Sequence, residues 1–62
     1  MIYEIMVIQN KYPDYPCFSF YNIDSYADHD AKKQAKERFL DDTGFKPEDT
    51  VAKIIQSQTH KP

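Results

Sequence analysis

Apolar positions run almost unbroken from Ile2 to Ile8, in Ile-Tyr-Glu-Ile-Met-Val-Ile. Six of these seven residues are apolar, and most are β-branched or aromatic. The run has no polar gap at helical i, i+3, i+4 spacing, so it predicts a strand. It falls far short of the ~20 residues that a membrane span needs. One phase carries Tyr3, Ile5 and Val7; the other carries Ile2, Met6 and Ile8, interrupted by Glu4. A strand apolar on both faces belongs in the middle of a sheet.

The next segment, Lys11-Tyr12-Pro13-Asp14-Tyr15-Pro16, breaks the pattern. Pro13 presets φ for a turn and Asp14 can bond the local backbone. Both prolines follow tyrosine, which leaves a cis bond open at either. A second strand begins at Cys17. Phe18 and Phe20 share one phase, whereas Tyr21 and Ile23 share the other. That change of phase predicts either a bulge near Phe20–Asn22 or a strand apolar on both faces at its start.

Periodicity then lengthens. Ala31, Ala35 and Phe39 recur every four residues with Leu40 beside them, a narrow helical stripe. Asp28 is the expected N-cap, Asp30 favours the positive helix end, and the helix should run to about Asp42. The alanines let the helix approach a sheet that carries Phe18 and Phe20. Gly44 is expected just past the helix end, in the left-handed conformation, and Phe45 returns to the core. Pro47 blocks further helix. Thr50 to Gln56 predicts a third strand, with Val51, Lys53 and Ile55 alternating with Ala52, Ile54 and Gln56.

The order β-β-α-β predicts an α+β fold: a three-stranded antiparallel sheet, order 2-1-3, with one helix on one face. A right-handed crossover sets strands two and three on either side of strand one. Residues 1–57 are expected to form one small domain, and 58–62 a flexible polar tail. With 62 residues and one cysteine, the domain has a thin stability margin and no internal disulfide. Its four Phe and five Tyr supply the apolar area that a staple would otherwise replace.

Charge narrows the function. Eight basic and ten acidic side chains leave a net charge of −2, which suits neither a nucleic-acid glue nor a nucleic-acid mimic. The N-terminus lacks a basic segment followed by an apolar region and cleavage site. With a free thiol as well, a cytoplasmic setting is expected. Met1 directly before a strand points to a complete small gene product.

Catalytic chemistry finds little support. His29 lies between Asp28 and Asp30, but three consecutive residues cannot converge on one ion. His60 sits in the tail. Cys17 follows a proline at a strand start, which suits a semi-buried structural thiol. One glycine permits no phosphate loop. The expectation is a non-enzyme without cofactor or metal. Asp41 and Asp42 occupy the last helical turn, where negative charge is unfavourable; a broken local rule can mark a binding surface. Lys32, Lys33 and Lys36, with Arg38, form a small basic patch that could bind RNA, flanked by acidic residues.

The tyrosines remain. One helix covers one face of a three-stranded sheet, so the other exposes apolar residues of strand one and some tyrosines. Tyrosine suits interfaces, with rigid apolar area and a polar tip. The expected partner-binding residues are Tyr3, Tyr12, Tyr15, Tyr21, Asp41 and Asp42. Two open sheet edges also predict a homodimer.

Tyr26-Ala27, Ala31, Gly44-Phe45 and a later apolar strand form a pattern that resembles the second half of small phage-encoded inhibitors of host RNA polymerase. The resemblance covers roughly half the chain, and the N-terminal half does not match. It implies a small phage-type protein of the bacterial cytoplasm that blocks a host or defence complex by contact. It assigns no binding residues. The alternative is a small RNA- or ribosome-associated domain that uses the helix lysines.

Overall fold

The computed structural model describes residues 1–58. Its elements are β1 (Ile2–Gln9), β2 (Phe18–Asp24), α1 (Asp28–Thr43) and β3 (Thr50–Gln58). A 3₁₀ turn at Pro47–Asp49 leads into β3. The sheet order is β2-β1-β3, and both outer strands run antiparallel to β1. The chain is therefore the α+β domain that the pattern predicts, with its most apolar strand in the centre. Among the described residues, no helix is long and apolar enough to cross a membrane.

Main-chain bonding divides β1 by parity. Gln9 N–H donates to Cys17 C=O and Ser25 N–H to Met1 C=O, both at 3.0 Å; Asn10 N–H donates to Asp49 C=O at 2.8 Å. Antiparallel ladders alternate bonded and non-bonded pairs. Odd residues of β1 therefore bond β2, and even residues bond β3.

The helix covers the phase of Tyr3, Ile5 and Val7. These join Ile23, Ala31, Ala35 and Phe39 in a buried core, with Tyr21, Phe45, Ala52, Ile54 and Cys17 packed against it. The alanine stripe works as expected, since methyl side chains let α1 lie close to the sheet. The sheet surface beneath it differs from the expectation. Phe18 and Phe20 project from the opposite face, because the pairing sets Tyr3 opposite Ile23 and Ile5 opposite Tyr21. Charged Glu4 and Lys53 share the phase of Phe20, and a charge in mid-strand must face water.

The bulge also lies elsewhere. The β1–β2 register is unbroken from Ile2↔Asp24 to Ile8↔Phe18, so β2 is simply apolar on both faces at its start. The shift occurs in β3: Ile5 pairs with Ile54 but Glu4 with Gln56, which leaves Ile55 as the extra residue. Ile54 stays beneath the helix, and Gln56 turns to the open face beside Glu4. The strict alternation predicted for Thr50–Gln56 ends there. β3 continues through Gln58, which pairs with Ile2; the rest of the predicted tail, with His60, lies outside the described residues. Both Tyr-Pro bonds are trans.

The helix ends differ in how well the pattern locates them. Ala27, not Asp28, is the N-cap, with extended backbone and no side-chain cap bond. Asp28 is instead the first helical residue, and its carboxylate lies by the Tyr3 hydroxyl, while Asp30 accepts from the Ser25 hydroxyl at 2.6 Å. At the other end Gly44 has φ 87° and donates its N–H to Leu40 C=O at 2.8 Å. A Cβ at Gly44 would meet nothing within 4 Å, so substitution is penalised by conformation alone. Gly44→Ala is expected to cost about 1–2 kcal/mol, measured by urea unfolding.

Candidate functional site

The predicted tyrosines divide between places. Tyr3 is 4% exposed, beneath the helix. Burial, followed by the hydrogen bond to and charge of Asp28, raises its hydroxyl pKa. Tyr21 is half-buried on the same face and donates to Asp42 Oδ2 at 2.7 Å. Burial and the bond to Asp42 raise its pKa, against a smaller opposing effect of Ser19. Both rings point away from the bare face, so neither belongs to the surface that the count of tyrosines predicts. The bond from Tyr21 also supplies the compensation that Asp42 lacks in sequence. Asp41 is exposed and has no hydrogen-bonding or ionic partner among the described side chains.

Tyr12 and Tyr15 are about half exposed and sit on the loop between β1 and β2. They also lean to the helix side. Tyr12 meets Phe45 edge-on at 6.2 Å, and Tyr15 meets it at 6.4 Å. Phe45 in turn stacks on Phe39 at 6.1 Å. The loop is held by a residue the pattern analysis does not single out. Buried Gln9 donates Nε2 to Tyr12 C=O at 2.7 Å and to Tyr15 C=O, and its Oε1 accepts from Tyr12 N–H at 2.8 Å. A turn bond from Tyr15 N–H to Tyr12 C=O at 3.0 Å closes around Pro13 and Asp14, as the sequence predicts. The available signal was Gln9 itself, a polar residue in the phase of Tyr3, Ile5 and Val7.

The bare face carries its aromatic area on phenylalanine. Phe18 and Phe20 are 52% and 53% exposed and meet edge-on at 6.0 Å. Across the sheet Ile8 lies between Phe18 and Val51, and Met6 lies between Phe20 and Lys53. The other half of the face is polar: Glu4 lies between Asn22 and Gln56, and Ile2 lies beside Asp24. Asp24 also pairs with the N-terminal ammonium at 3.5 Å.

A second surface lies between α1 and β3. Lys32, Lys33 and Lys36, with His29 and Glu37, face Val51 and Ala52 across an open groove of about 580 Å³. The three predicted lysines are thus brought together, and among the described residues none is in an ion pair. Arg38 does not line this groove.

The Asp28-His29-Asp30 run disperses. Asp28 lies by Tyr3, and His29 meets Tyr26 edge-on at 5.9 Å. Asp30 accepts from Ser25 and, at 2.7 Å, from Gln34 Nε2. Among the described residues no three His, Cys, Asp or Glu side chains form a set able to hold a metal. The bonds from Ser25 and then Gln34 lower the Asp30 pKa. A carboxyl depressed in the folded state stabilises it above the unfolded pKa of about 3.9. That stabilisation is lost as pH falls through the lower, folded value. Asp30→Asn should therefore be less stable than wild type at pH 7. The gap should close on acidification below about pH 4, measured by urea unfolding at both pH values.

No protein-family model matches the chain, and neither a curated protein nor a solved structure matches it.

Proposed function

We propose that this chain is a non-enzymatic protein-binding module that acts by docking its bare sheet face on a partner protein. The observation that carries the reading is the Phe18–Phe20 pair, half exposed and contiguous with Met6, Ile8 and Val51. Contiguous apolar area of this kind marks an interaction surface, whereas scattered apolar residues do not. The polar half of the face, with Glu4 and Asp24, suits a partner whose apolar patch is bordered by Arg or Lys. The resemblance to phage-encoded inhibitors of host RNA polymerase supports an inhibitory role against a bacterial host or defence complex. A second copy of the chain is the competing occupant.

The test uses the intact chain, immobilised against purified bacterial RNA polymerase, with sedimentation of the chain alone across the micromolar range. A buried aromatic at an interface centre contributes ~2 kcal/mol or more, so Phe20→Ala should weaken binding about 30-fold. Its thermal midpoint should stay near that of wild type, since the ring is half exposed. Sedimentation as a 7.3 kDa species removes the second copy as occupant; a dimer that Phe20→Ala dissociates makes it the occupant. Binding that survives Phe18→Ala and Phe20→Ala but is abolished by changes at Lys32, Lys33 or Lys36 defeats the reading.

A further inference from the structure

We infer that the groove between α1 and β3 receives an extended acidic segment of a partner protein, added to the sheet as a fourth strand beside β3. This site shares Val51 with the bare face but does not rest on that face's role. β3 is an edge strand. Asn10 N–H bonds Asp49 C=O, so alternation from that pair commits Val51 and Lys53 to β1. The main-chain groups of Ala52 and Ile54 then point outward, toward no other strand among the described residues. Such a row is a template for an incoming backbone, which satisfies it pair by pair. The bulge at Ile55 ends the regular edge, and Thr50 N–H is already given to Pro47 C=O, so the template runs from the Thr50 carbonyl to Ile54.

The charge beside that edge selects the occupant. Lys32 and Lys36 are half-buried on the flank of α1 nearest β3, four residues and about 6 Å apart along the helix. Side chains on one face of a strand repeat every ~6.8 Å. Two acidic residues at i and i+2 of an added strand therefore match the lysine pair. Lys33 adds positive charge at the rim, and Glu37 is the acidic residue in the lining. RNA offers the same negative charge but no main chain to complete the β3 edge. The net charge of −2 further opposes a long polyanion.

The probe is a short, end-blocked, fluorescein-labelled peptide with Glu at alternate positions between Thr and Val. It is titrated into the intact chain by fluorescence anisotropy, with amide shifts followed by NMR. Saturable binding is expected, with the largest shifts at Ala52 and Ile54. Lys32→Ala and Lys36→Ala should each weaken it about 5-fold, the effect of a partly exposed ion pair of about 1 kcal/mol. A peptide N-methylated at alternate residues on its β3-facing edge should lose binding, because it cannot donate to β3. A Gln-for-Glu peptide should bind more weakly, and added salt should erode that difference. The inference is overturned if the N-methylated peptide binds as well as its parent, or if neither binds at millimolar concentration. It is also overturned if a single-stranded RNA oligonucleotide binds this groove and the acidic peptide does not.

Discussion

Phe39→Ala is expected to lower the unfolding free energy by about 3–5 kcal/mol. Phe39 is fully buried and is the largest such side chain in the core. It shares the core with Ala31 and Ala35, stacks on Phe45 at 6.1 Å, and so joins the helix to the segment that returns the chain to β3. Truncation leaves a cavity that the alanine stripe cannot fill. Domains of this size hold roughly 0.05–0.15 kcal/mol per residue, so the loss is comparable with the whole stability. The variant should be largely unfolded at 25 °C by far-UV circular dichroism. Phe39→Leu, which keeps most of the volume, should remain folded with a lower urea midpoint. A loss under ~1 kcal/mol for Phe39→Ala would mean that the ring is not confined between helix and sheet.

What could be read from the residue pattern follows from which forces are local. Strand order was legible because Ile2–Ile8 is apolar on both phases and sits between two weaker strands. The helix face was legible because Ala31, Ala35 and Phe39 repeat at a helical interval. The choice of sheet face was harder, since Tyr3-Ile5-Val7 and Ile2-Met6-Ile8 are about equally apolar. The deciding signals were Glu4 and Lys53, whose charges cannot lie under a helix. Tyrosine is ambiguous because its ring suits a core and its hydroxyl needs a partner. Here Asp42, at the C-terminal end of α1, supplies that partner for Tyr21, and Asp28, at its start, lies by the Tyr3 hydroxyl. That arrangement draws both tyrosines inward and leaves Phe18 and Phe20 as the aromatics of the bare face. The β3 bulge had no marker, because Ile54 and Ile55 are chemically identical and only the pairing of Gln56 with Glu4 separates them.

The two surfaces also differ in kind. The bare face offers apolar area bordered by Glu4 and Asp24, so most of its contribution to binding should survive added salt, which screens only the border charges. The groove offers lysines and an open main-chain edge, so binding there should weaken as salt screens the charge. A salt titration of a partner should therefore be shallower for the bare face than for the groove, and Phe20→Ala beside Lys36→Ala completes the assignment.

Gln9→Ala is expected to cost about 2–4 kcal/mol, from three hydrogen bonds at roughly 0.5–1.5 kcal/mol each. The residue is buried at the end of β1, where its amide gathers Tyr12 N–H, Tyr12 C=O and Tyr15 C=O into one clasp. Removal frees the loop from Asn10 to Cys17, and Tyr12 and Tyr15 lose their fixed approach to Phe45. The effect is distinct from cavity formation. Gln9→Leu restores much of the apolar volume but none of the bonds, so it should recover little of the loss. Gln9→Glu keeps the acceptor for Tyr12 N–H but sets a carboxylate against two carbonyl oxygens, so at pH 7 it should be the least stable of the three. Amide hydrogen exchange provides the check. Tyr15 N–H, bonded to Tyr12 C=O at 3.0 Å, should lose protection in every variant, while Ile5 and Val7 in the centre of β1 change only with global stability. Retained protection at Tyr15 would show that the Tyr12–Tyr15 turn holds without the Gln9 amide.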